Sequence, residues 1–163
     1  MEINAIRKAG FQEAVEISNW KYLVPYDVYS HNGGKKMVHE LMDSEYYVVL
    51  CNSGGIIGFY CFQEPARVPC RASRQYYVDE SHIDVGLGLR PDLCGAGHGY
   101  LFLNAALDFA KGKYRQSGFR LTVISLNLRA ITVYARSGFV EIGKFSLAKD
   151  GFSLPFSIMQ KDW

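Results

Sequence analysis

The chain has 163 residues, of which 48% are hydrophobic and 21% charged, a balance that suits a globular domain with its own core. Its 18 basic and 16 acidic side chains leave a net charge of +2, which indicates neither a nucleic-acid-binding nor a membrane-surface protein. No run nears the ~18 apolar residues of a membrane span. The opening MEINAIRKAG has no apolar signal region, so the cytoplasm is the default compartment. Cys51, Cys61, Cys70 and Cys94 form no CxxC pair, so neither a metal site nor a disulfide framework is expected.

In chain order, Ile3 to Lys8 reads as a first strand. Phe11 to Trp20 reads as a helix by the spacing of Ala14, Val15 and Ile17. Residues 22–34 break at Pro25 and at Asn32-Gly33-Gly34 and read as a loop, followed by a helix over Lys35 to Met42. Tyr46 to Cys51 and Ile56 to Gln63 are strands rich in β-formers, joined by the turn Asn52-Ser53-Gly54-Gly55. Residues 64–80, with Pro65, Pro69 and several arginines, read as an exposed loop. The stretch His82 to Arg90 alternates Ile83, Val85, Leu87 and Leu89 against Asp84, Gly86 and Gly88, which is the period of a strand. Glycines inside a strand often mark a close approach by a ligand.

Pro91 ends that strand, and Cys94-Gly95-Ala96-Gly97-His98-Gly99 leads into a helix of about four turns, whose stripe is Phe102, Leu103, Ala106, Leu107 and Ala110. Gly112 reads as its stop. A strand over Phe119 to Ser125, a short helix after Asn127 and a closing hairpin over Val140 to Phe145 and Phe152 to Met159 complete the chain. Lys149-Asp150-Gly151 is the expected hairpin turn.

Strand, glycine loop and helix together make a candidate phosphate site. The first helical N–H groups lack partners and carry partial positive charge, and glycines let a phosphate approach them. The alternative is a tight turn that binds nothing. A dinucleotide fingerprint requires GxGxxG with an acidic residue about 20 positions on, and here Gly95, Gly97 and Gly99 stand one residue too close. A Walker A loop requires a Lys after the glycines, which is missing.

These residues resemble the GNAT superfamily of acyl-CoA-dependent N-acetyltransferases. The glycine loop matches over Cys94 to Gly99, and a second signature matches at Asn127, Ala130, Tyr134, Gly138 and Phe139. Cys94 departs from the usual Arg or Gln. The resemblance is good over 82–145 and architectural before that. It implies one α/β domain over residues 1–163, a mixed α+β sheet with splayed central strands and flanking helices.

It also implies an acetyl-CoA-dependent enzyme that acetylates an amine by direct attack in a ternary complex, without a metal. Leu87, Gly88 and Leu89 would hold the pantetheine arm through their backbone. Cys94, Gly95, Ala96, Gly97, His98 and Gly99 would hold the pyrophosphate. Asn127 would cap the short helix and touch the arm. Tyr134 would protonate the leaving thiolate, since a phenol is protonated at neutral pH; otherwise it is a core tyrosine. For the base, Asp84 and Glu80 are candidates beside His82, with a solvated rim charge as the plain alternative. The acceptor is open: a small amine, an aminoglycoside-like compound, an amino acid or a protein N-terminus. It would meet the aromatic segment with Trp20, Tyr22, Tyr26, Asp27 and Tyr29. Homodimerisation is left open. A non-catalytic acyl-CoA sensor or interaction module is the alternative function.

Overall fold

The computed structural model describes residues 1–149 and 151–163. The strands are β1 (Ala5–Arg7), β2 (Tyr46–Leu50), β3 (Ile56–Phe62), β4 (His82–Leu89), β5 (Gly118–Ile124), β6 (Val140–Lys149) and β7 (Phe152–Asp162). The helices are α1 (Phe11–Ser18), α2 (Lys35–Asp43), α3 (Gly99–Lys113) and α4 (Leu128–Arg136). One seven-stranded sheet runs in the order β1-β2-β3-β4-β5-β7-β6. β4 and β5 are parallel, while β1–β2, β2–β3, β5–β7 and β6–β7 are antiparallel. The expected mixed α/β sheet is therefore present.

The chain divides into two compact units, one of residues 1–61 and 87–98, the other of 62–86 and 99–163. In the first, α1 starts at Gly10, whose N–H donates to Glu13 at 2.7 Å, and Arg7 grips the same carboxylate. Ala14, Ile17, Leu41, Val48 and Tyr60 are fully buried in this unit. α1 stops at Ser18, two residues before the expected end. Asn19 turns its side-chain amide back onto the Val15 carbonyl, and Gly33 N–H takes the Ser18 carbonyl.

In the second unit, α3 buries the stripe read from its spacing: Phe102, Leu103, Ala106, Leu107 and Ala110. It runs through Gly112, expected as its stop, to Lys113. A Cβ at Gly112 would meet nothing within 4 Å, so this exposed last turn tolerates glycine at a cost of about 1 kcal/mol. The closing hairpin is longer than its sequence signal, because β7 pairs with β5 as far as Asp162 while Phe145 and Phe156 stack at 5.2 Å. Asp150, in the expected turn, lies outside the described residues.

The second unit also contains a buried ion cluster. Arg120 on β5 is 0% exposed, and its Nε and Nη2 donate to the two oxygens of Asp84 at 2.5 and 2.8 Å. Its Nη1 donates to the Tyr76 and Asp79 carbonyls, so one side chain ties β4, β5 and the 64–80 segment together. Removing one partner of a buried pair strands the other charge. Arg120→Ala should therefore destabilise the protein by about 3–5 kcal/mol. Urea unfolding with a loss below about 1 kcal/mol would show that the cluster is not structural.

Candidate active site

β4 changes character halfway along. Its register with β5 runs from His82↔Gly118 to Val85↔Leu121 and ends there, although β5 continues to Ile124 and β4 to Leu89. Residues 82–85 are buried, whereas 86–89 are only partly so. The pairing with β5 thus covers residues 82–85 of β4.

The far end of β4 is braced. The Tyr22 hydroxyl donates to the Leu89 carbonyl at 2.9 Å, and burial pushes that phenol well above the usual tyrosine range, so it remains a donor. The Cys94 thiol lies 3.6 Å from the Leu89 and Arg90 carbonyls. Arg90 pairs bidentately with Asp92 and donates to the Ile56 carbonyl at 2.8 Å. Gly88 lies against Phe59: a Cβ there would overlap the ring, which itself packs on Trp20 and Tyr46. Gly88 thus has a packing reason as well as its expected ligand role.

In the loop, Gly95 and Gly97 take φ of +81° and +82°, a left-handed region that favours glycine. Gly95, Ala96 and Gly97 are exposed and His98 is half-buried. A Cβ on Gly97 would meet no heavy atom within 4 Å, so the backbone there borders open space wide enough for a ligand group. The loop leads directly into α3 at Gly99. The third glycine serves packing, because a Cβ on Gly99 would come within 3.1 Å of Val133 on α4.

Asn127 caps α4 as expected, its Oδ1 accepting from Ala130 N–H at 3.2 Å. Tyr134, the buried residue of α4, is 9% exposed, and its ring centre lies 6.2 Å from that of Phe139. The hydrophobic partner explains why the ring is buried but does not require the hydroxyl.

The carboxylates expected at the start of β4 differ sharply. Asp84 is no rim charge: it is 2% exposed, and Arg67 Nε donates to Oδ2 at 2.6 Å in addition to the two bonds from Arg120. Both of its oxygens are occupied by guanidinium groups, so it is a buried member of an ion cluster. Glu80 is exposed and precedes β4. His82 is 9% exposed; Nδ1 lies 2.8 Å from Ser81 Oγ and 3.1 Å from Asp79, and Nε2 lies 2.9 Å from Asp162, an arrangement that ties the start of β4 to the end of β7.

Sequence reasoning missed Arg67, Arg120, Tyr77 and the Tyr22 hydroxyl. Arg120 alone left a signal, a charged residue inside the apolar run FRLTVIS. Among the described residues no group of His, Cys, Asp and Glu could hold a metal, and no helix is long and apolar enough to cross a membrane.

A family model described as the acetyltransferase (GNAT) family matches residues 12–139. No curated protein matches the chain. Among solved structures, a spermidine N-acetyltransferase chimera of the Vibrio cholerae enzyme SpeG and hSSAT is 18% identical, with a TM-score of 0.75 over 99% of this chain and 96% of that one. A GNAT-family acetyltransferase from Bacillus anthracis is 17% identical, with a TM-score of 0.71 over 99% and 98%. At these identities the likeness speaks to the fold.

Proposed function

The chain belongs to the acetyltransferase (GNAT) family, and from that membership we propose that it moves an acetyl group from acetyl-CoA to a primary amine by direct attack in a ternary complex. The observation that carries this reading is the left-handed glycine loop at Gly95 and Gly97, which borders open space at Gly97 and leads into α3. Acetyl-CoA, when bound, supplies the activated acyl group as a thioester.

The chain's own residues supply the rest. Backbone groups of Leu87, Gly88 and Leu89 match the amides of the pantetheine arm, and an N–H near Leu87 can hold the thioester oxygen. The Leu89 carbonyl already accepts from Tyr22, which leaves Leu87 and Gly88 as the principal contacts. Loop amides from Cys94 to Gly99 face the pyrophosphate, and Asn127 lies beside the arm. Tyr134 gives a proton or hydrogen bond to the departing sulfur. Because both oxygens of Asp84 are occupied by guanidinium groups, the incoming ammonium loses its proton to the exposed Glu80 or to water. The protein acts in the cytoplasm. A polyamine, as the name of the spermidine enzyme gives for that neighbour, is one acceptor class within this reading.

Gly97→Val puts a branched side chain at φ +82°, into the open space beside the loop. CoA affinity should fall at least tenfold, ~1.4 kcal/mol, in a protein that still folds. Calorimetry with unchanged affinity in a folded variant would remove the loop from the site.

The Cys94 thiol lies on the β4 carbonyls and is not the nucleophile, so Cys94→Ser should keep its turnover within roughly fivefold. A loss on the order of a thousandfold would demand a covalent acyl-enzyme.

Tyr134→Phe deletes one oxygen and keeps the ring contact with Phe139. If the hydroxyl serves the leaving thiolate, kcat should fall by roughly 10²–10⁴-fold with the acetyl-CoA KM little changed, because the bond strengthens only as charge builds on sulfur. A near-normal kcat would falsify the general-acid role. Thiol release with no amine of a broad panel, despite tight CoA binding, would favour an acyl-CoA sensor instead.

A further inference from the structure

We propose that Arg67 recognises an anionic group on the acceptor, so that the acceptor is an amine that also carries a carboxylate or a similar oxyanion. The inference rests on the N-acetyltransferase reading and specifies its substrate class.

Two guanidinium groups serve one buried carboxylate, Asp84, so the cluster holds one positive charge in excess. The two arginines are not equivalent. Arg120 is fully buried and uses Nε, Nη1 and Nη2 in four hydrogen bonds. Arg67 gives only Nε to Asp84, and among the described residues its Nη1 and Nη2 have no acceptor. Its side chain is 25% exposed, so part of it meets solvent. A partly buried cation without full compensation attracts an anion, and the guanidinium fork matches a carboxylate in the bidentate way an ammonium cannot.

The group is also held still. The Arg67 guanidinium lies 5.4 Å from the centre of the Tyr77 ring, and Tyr77 is fixed by Thr122 at 2.7 Å and by Val68 N–H at 3.1 Å. The turn that delivers Arg67 begins at Gln63, whose φ of +60° is unusual for a side-chain-bearing residue. Gln63 N–H donates to the Asp84 carbonyl at 2.9 Å, so the strained residue is anchored on β4 at the same position Arg67 grips. Backbone strain of this kind persists where the surroundings over-determine it.

The location fits an acceptor. Alternate residues of a strand share a face about 7 Å apart, so Asp84 and Gly86 lie on one side of β4. Gly86 is where β4 becomes partly exposed, one residue after pairing with β5 stops. An amine group presented at that point, with an anion a few bonds away, would reach Arg67. A polyamine would instead meet surplus positive charge.

The test compares amino acids with the amines left after removal of their carboxylate: methionine with 3-methylthiopropylamine, and tyrosine with tyramine. Thiol release gives kcat/KM, and calorimetry on the CoA complex gives affinity without turnover. Wild-type protein should favour the carboxylate-bearing member at least tenfold. Arg67→Gln should erase that preference, lowering kcat/KM for the amino acid by roughly ten- to hundredfold while sparing the decarboxylated amine. The fold should survive, because Arg120 still compensates Asp84, and a thermal melt checks this. Arg67→Lys, which keeps the charge and loses the fork, should fall between the two and serves if Arg67→Gln does not fold. The inference is overturned if the decarboxylated amines do as well, if substitution lowers both alike, or if no carboxylate-bearing member binds or reacts. Arg67-dependent binding of amino acids without thiol release from any amine would leave the inference standing and overturn the N-acetyltransferase reading.

Discussion

The second unit depends on one buried carboxylate. Asp84 sits in a strand flanked by Ile83 and Val85, both essentially inaccessible, where an unpaired charge would cost several kcal/mol. Arg120 compensates it with a two-bond fork, and the same guanidinium then collects the carbonyls of Tyr76 and Asp79. The long segment between β3 and β4 is thereby fastened by hydrogen bonds as well as by ring packing, such as that of Tyr76 on Phe145. An apolar pair of equal volume could hold β4 against β5 as well, but it could not accept or donate to that segment's backbone. The ion cluster thus positions a loop as well as stabilising a strand pair.

The end of the β4–β5 register follows from residues on both sides of it. Up to Val85 the strand carries side chains that fill both faces, and the ladder with β5 is continuous. From Gly86 onward glycine alternates with leucine, so one face has no side chains to pack. β5 meanwhile continues in register with β7 to Ile124↔Phe156. Beyond Val85 the end of β4 is held instead by Tyr22, Arg90 and the Cys94 thiol. These fixings, all within the first unit, keep the end of β4 in extended form.

The periodic features were legible from residues alone. The α3 stripe, the Asn127 cap and the strand-turn-strand of β2 and β3 each rest on a local rule, and each appears where the rule placed it. What sequence could not give is pairing at a distance. Asp84 read as a rim acid because alternation puts it opposite the apolar residues. Its burial comes from Arg120, 36 positions away, and from Arg67, 17 positions before it. Gly112 looked like a stop because glycine commonly ends helices, and the helix ends one residue beyond it, at Lys113.

The same distinction bears on how the three loop glycines should be weighed. They look alike in sequence but answer to different constraints. Gly95 and Gly97 are favoured by their left-handed backbone conformation, whereas at Gly99 a Cβ would stand only 3.1 Å from Val133. A substitution at Gly99 would therefore act through the packing of α3 on α4, which also carries Tyr134, and would disturb the catalytic candidate without touching the loop's amides. A substitution at Gly97 meets no neighbour but is strained at φ +82°, so its effect falls on the loop's own conformation and on whatever occupies the space outside, not on the packing of the helices.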